Sequence, residues 1–136
     1  VNGDGLDDVI VGASDQDGAF AKAGAAYVLF GRVNMVNIDL LDFVSGPLSG
    51  LRIFGARAND LAGFAVSGAG DFNNDGFADV LIGAYGATYM SRGASGMAYV
   101  IFGHGNDIAF ADVNLTNFIA GPASGLSIYG TASDLL

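Results

Sequence analysis

DFNNDGFADVLIGA, Asp71 to Ala84, carries oxygen-bearing side chains on alternate residues: Asp71, Asn73 and Asp75, followed by Gly76 and then Asp79. Calcium is a hard cation that takes about six to eight oxygen ligands at about 2.3–2.6 Å. Alternate residues of a tightly curled loop can point inward together, and a glycine lets the chain turn back on itself. In such a loop the backbone carbonyl of Phe77 takes the seventh position and Asp79 the ninth. The apolar run Val80-Leu81-Ile82 follows at once. A polar turn built on Asn-Asp-Gly is the plainer reading. Three carboxylates and an amide oxygen at these positions exceed what a turn needs, however, and without a cation they repel one another. The stretch is therefore expected to be a calcium loop that closes onto a β-strand. Magnesium is the weaker candidate, because it keeps its waters.

The same pattern occurs at the start of the chain. NGDGLDDVIVGA (Asn2 to Ala13) repeats NNDGFADVLIGA (Asn73 to Ala84), and the corresponding candidate ligands are Asn2, Asp4, the Leu6 carbonyl and Asp8. GAAYVLFG (Gly24 to Gly31) repeats as GMAYVIFG (Gly96 to Gly103), and GPLSGLRIFG (Gly46 to Gly55) as GPASGLSIYG (Gly121 to Gly130). The chain thus reads as two copies of one unit of roughly 70–75 residues, spanning 1–60 and 61–136. Val1 aligns with Phe72, so the counterparts of Asp71 and of the strand before it would precede Val1. Asp134-Leu135-Leu136 aligns with Asp60-Leu61-Ala62. The expectation is a window from a longer array.

Within a unit the apolar period is two. Phe64-Ala65-Val66, Asp79 to Gly83, Gly96 to Phe102 and Leu126 to Tyr129 read as strands separated by Gly/Ser/Asn clusters. Four short antiparallel strands per repeat describe a propeller blade, so the fold class is all-β. An added stretch, Asp107 to Gly125, lies between the third and fourth strands; its apolar residues could cover a blade edge. Its counterpart in the first copy is Val33 to Gly50.

Composition agrees. All 14 acidic residues are aspartate, a residue of turns, caps and metal loops, and 22 residues are glycine. The formal net charge of −9 argues against nucleic acid, which needs a basic surface. No apolar run is long enough to span a bilayer as a helix, so membrane insertion is not expected. The absence of cysteine removes disulfides and thiolate chemistry. The single histidine, His104, reads as a solvated loop residue. Tyr27 and Tyr99 read as packing residues, and Asp60 and Asp134 as turn residues. An EF-hand is excluded, since its position twelve would be Ile82 rather than a glutamate.

Gly63-Phe64, the DxNxDGxxD loop from Asp71 to Asp79, and Ile82-Gly83-Ala84 resemble the FG-GAP repeat, and the AYVIFG and SGLSIYG stretches look like its bacterial version. The pair before the loop reads Gly-Phe rather than Phe-Gly, and the usual proline after Gly-Ala is Ser14 or Tyr85. The resemblance implies a seven-bladed β-propeller of the integrin α type, of which this chain is about two blades. It also implies calcium at the loops between first and second strands, and a secreted or cell-surface role in adhesion. The expected partners are an extracellular protein or glycan ligand and the neighbouring blades. The alternative is an accessory propeller of a larger secreted enzyme or toxin. Catalysis by the chain itself is not expected, because every clustered carboxylate already belongs to a metal loop.

Overall fold

The computed structural model describes residues 1–34, 36–93 and 95–131. Strands form at the period-two runs: β1 (Val9–Ala13), β2 (Ala25–Leu29), β3 (Gly50–Phe54), β4 (Ala62–Gly70), β5 (Asp79–Ala84), β6 (Met97–Ile101) and β8 (Gly125–Tyr129); a further short strand, β7 (Val113–Asn114), forms in the added stretch, where the sequence announces none. They make two four-stranded sheets, ordered β1-β2-β3-β7 and β4-β5-β6-β8. The second is antiparallel throughout, as expected of a blade. Its first strand is longer than the sequence suggests. The small residues Ser67 to Gly70 stay in the ladder, which absorbs register shifts between Ala62 and Ala65 and between Gly68 and Gly70.

The first sheet differs. β1, β2 and β3 correspond to β5, β6 and β8 and pair antiparallel in the same way. The fourth strand comes from the other repeat: β7, in the added stretch, runs parallel to β3, with Ile53 opposite Val113 and Phe54 opposite Asn114. That stretch therefore does cover a blade edge, and the edge belongs to the neighbouring sheet. It is further secured by a bidentate ion pair. Arg52 Nε and Nη2 lie 2.9 and 2.7 Å from the two Asp112 oxygens, and the Ser45 hydroxyl donates to Asp112 Oδ1 at 2.6 Å.

The core sits between the sheets. Ala26, Val28, Leu51 and Ile53 of the first face Val80, Ile82, Tyr99 and Ile101 of the second, all buried. Ile53 and Ile82 are fully enclosed; burying each is worth about 1.5–3 kcal/mol. A smaller cluster of Ala25, Tyr27 and Phe43 fills the other face of the first sheet. The two clusters share one design. Phe43 meets Tyr27 edge-on at 5.9 Å, and Phe118 meets Tyr99 edge-on at 6.0 Å, each phenylalanine coming from its repeat's added stretch. Both tyrosines are packing residues, as read.

The seam between the sheets needs two glycines. Gly24 and Gly63 have φ of 81° and 84°. A Cβ on Gly63 would stand 2.1 Å from the Ala25 carbonyl oxygen, and one on Gly24 would stand 2.2 Å from that of Ala62. Only a residue without a side chain permits this approach. Gly63 is one half of the Gly-Phe pair that marks the repeat.

Candidate metal loops

The loop from β4 to β5 curls through left-handed conformations at Asn74 (φ 59°) and Gly76 (φ 92°), residue types that tolerate them. Its carboxylates are organised by backbone donors. Asp71 Oδ1 accepts from the Asp75 N–H and Oδ2 from the Gly76 N–H, both at 2.9 Å. Asp75 Oδ1 accepts from the Phe77 N–H at 2.9 Å, and Oδ2 from the Asn73 amide at 2.8 Å. Asp79 is different. It is only 1% exposed. Its two oxygens accept from the Phe72 N–H at 2.6 Å and the Gly103 N–H at 2.9 Å. It thereby pins the start of the loop to the residue that leaves β6.

The first loop repeats this wiring. Asp4 Oδ1 accepts from the Leu6 N–H at 2.9 Å and Oδ2 from the Asn2 amide at 3.0 Å. These two bonds, the Leu6 N–H first, hold the Asp4 carboxyl below the ordinary carboxylate range. Asp8 Oδ1 accepts from the Gly31 N–H at 2.9 Å, and the Val1 amino group lies 2.5 Å from Oδ2. Asp8 thus does for β2 what Asp79 does for β6.

The loops differ at Asp71, which has no counterpart in residues 1–136. Asn2 Oδ1 accepts weakly from the Asp4 N–H, at 3.4 Å. In the second loop the matching N–H, that of Asp75, is taken by Asp71. Asn73 Oδ1 is consequently buried with no hydrogen-bond partner. A buried polar atom left unpaired costs about 1–3 kcal/mol, so its presence asks for a ligand.

Among the described residues, no three Asp, Glu, His or Cys side chains are gathered in a ready metal cage. The loop carboxylates are spread instead over backbone N–H groups. Each oxygen that accepts one hydrogen bond keeps a second lone pair, and every donor in the set is oxygen, the type calcium takes. In donor chemistry the loop fits calcium. Asp71, Asn73, Asp75, the Phe77 carbonyl and Asp79 would hold it, with Asn73 Oδ1 gaining the partner it lacks.

Sequence reasoning missed two things. It took Asp8 and Asp79 as ligands alone, although glycines at matched places, Gly31 and Gly103, offered the N–H groups they bind. It took His104 as solvated, whereas its ring stacks on Phe110 at 4.0 Å. Asp60 closes a turn, as expected, its N–H donating to the Arg57 carbonyl at 3.3 Å, and it is also buried, 6% exposed. Asp134, its counterpart, falls outside the described residues.

Residues 62–101 match the family model of the FG-GAP repeat. The match runs from the start of β4, through the candidate metal loop, to the end of β6. The chain therefore carries an FG-GAP repeat, and its two sheets are blades of the propeller type. No curated protein matches the chain.

Proposed function

We propose that this chain is a calcium-binding segment of a β-propeller in an extracellular adhesion or binding protein. The observation that carries the calcium reading is Asn73 Oδ1, buried and unpartnered within a loop of three carboxylates inside an FG-GAP repeat. Calcium there is structural. It ties the end of β4 to the start of β5 and neutralises carboxylates in a chain of net charge −9. The role is binding rather than catalysis, since the loop carboxylates are committed to backbone N–H groups and to the ion. The partners of this reading are an extracellular protein or glycan and neighbouring blades.

The test is thermal unfolding in millimolar calcium, in magnesium and in chelator. Calcium is expected to raise the melting temperature over chelator, and magnesium to do so much less. Identical curves in calcium and chelator contradict the reading.

A further inference from the structure

The junction between the two sheets joins two unlike surfaces, and the molecule carries a second, uncovered version of each. On one side of the junction the second repeat presents Val80, Ile82 and Ile101 of β5 and β6, together with β7. On the other side the first repeat presents Leu51 and Ile53 and the outer edge of β3. In the repeat, β1 and β2 correspond to β5 and β6, and β8 corresponds to β3. The first sheet therefore turns a β5–β6-like face outward, through Val9, Val11 and Leu29. The second sheet turns a β3-like face and edge outward, through Leu126 and Ile128, which alternate with the core-side Ser127 opposite Tyr99.

Matched residues show what the outward surfaces lack. Val80 is 4% exposed at the junction, whereas its counterpart Val9 is 59% exposed. Ile53 is 0% exposed between the sheets, whereas its counterpart Ile128 is 39% exposed. The residue types and their places in the strands are the same. The difference is the sheet that stands against them. Apolar strand faces left in water mark interaction surfaces.

The strand lent to β3 also has a counterpart. Aligned through GPLSG and GPASG, Val113-Asn114 corresponds to Ile38-Asp39. The two segments are shaped alike. Asn114 Oδ1 accepts from the Thr116 N–H, and Asp39 Oδ1 from the Leu41 N–H, both at 2.9 Å. Val113-Asn114 pairs with Ile53-Phe54, but Ile38-Asp39 lies in no strand, and Ile38 is exposed. β8 ends its sheet, and among the described residues no strand pairs with its outer edge. Its Ile128 and Tyr129 stand at the places of Ile53 and Phe54. Ile38 shares a groove with Val9 and Leu29 on the outward side of the first sheet. It therefore meets a β8 edge only in another molecule.

We propose that the chain associates head to tail with a second copy of itself. The outward face of the first sheet in one copy packs on the second sheet of the next, and Ile38-Asp39 pairs in parallel with Ile128-Tyr129. The contact repeats between molecules the junction that already exists within one. Each copy uses one surface and keeps the other, so association continues into a ring or a filament. Ser127 and Asn37 take the places of Arg52 and Asp112, so the contact lacks that ion pair and is weaker than the internal one. The net charge of −9 opposes it, and salt relieves that repulsion. The proposal rests on the blade reading above and names a second copy as the neighbouring blade.

The test is sedimentation velocity on the folded 136-residue chain, from about 10 μM to about 1 mM. Species larger than a dimer are expected to grow with concentration. Ile38→Asp blocks one surface and Ile128→Asp the other, both at exposed side chains. Each variant alone is expected to stay monomeric, and an equimolar mixture of the two to stop at a one-to-one dimer. A folded wild-type chain that stays monomeric overturns the proposal. So does either variant assembling like wild type, or a mixture that forms no dimer. The register is read separately with Ile38→Cys and Ile128→Cys, in a chain that has no cysteine of its own. Mixed and oxidised, they are expected to give chiefly the disulfide-linked heterodimer; homodimers in equal yield overturn the pairing. Calcium-dependent melting of the same sample tests the metal separately. Assembly without a calcium shift would sink only the metal; a calcium shift without assembly would sink only this interface.

Discussion

The two repeats are written in nearly the same residues, yet the edge strand of the first, β3, pairs with a strand of the second repeat. The second holds its own four strands. The first pairs three of its own with β7, a two-residue parallel strand lent by the second repeat. The loops show the same contrast on a smaller scale. Both bind their aspartates to the same backbone positions, and in the second, where Asp71 takes the Asp75 N–H, a buried amide oxygen is left without a partner. A blade is therefore not an independent unit. What a repeated residue does depends on which neighbour stands against it.

The sharpest way to break that comparison is in the core. Ile82 lies between the sheets and is fully buried, while its counterpart Val11 is only partly buried, on the outer face. Ile82→Ala is expected to cost about 4 kcal/mol and Val11→Ala about 1 kcal/mol in chemical denaturation. Equal losses would mean that the two sheets do not pack as described.

The next effect separates pinning from metal binding. Asp79→Asn leaves one of two backbone N–H groups facing an amide NH₂ and is expected to cost about 2–3 kcal/mol, with or without calcium. Asp75→Ala is expected to cost on the order of 2–4 kcal/mol when calcium greatly exceeds its Kd, and far less in chelator. If the two variants respond alike to chelator, the distinction between them fails.

Smaller still is the strap. Asp112→Ala removes a partly exposed bidentate pair and is expected to cost about 1 kcal/mol, less at high salt. Arg52, chiefly through its hydrogen bonds, holds the Asp112 carboxyl below its ordinary value. The unfolded chain then binds the proton more readily. This contribution is present above the ordinary carboxylate pKa and disappears as pH falls through the lowered one. Denaturation of wild type and variant at several pH values checks it, and their curves should converge in acid.

Asp60 has the opposite sign. Its folded pKa is raised by burial, so the folded chain holds the proton longer. Stability declines as pH rises from the ordinary carboxylate value through the raised one. Asp60→Asn should remove that decline, and an unchanged pH profile would place the carboxylate in water.

Much of this was legible in the sequence. Val80-Leu81-Ile82 and its counterpart announce strands, because short apolar runs bounded by turn residues have few other folds open to them. The loop announces itself through Asp71, Asn73, Asp75 and Gly76. What was not legible depends on tertiary neighbours. Val113 and Asn114 carry no strand signal of their own; they pair because Ile53 and Phe54 present an open edge. Asp60 looks like any turn aspartate until the second sheet closes over it. Asp79 reads as a ligand because its role as a pin needs Gly103, a residue 24 positions on.

The most direct measurement is calorimetric titration of calcium into the chain, repeated on Asn73→Ala and Asp75→Ala with magnesium as control. Saturable calcium binding is expected, weakened at least about tenfold in each variant, with magnesium far weaker. No binding heat in the folded wild-type chain, or an affinity that both variants leave unchanged, would contradict it.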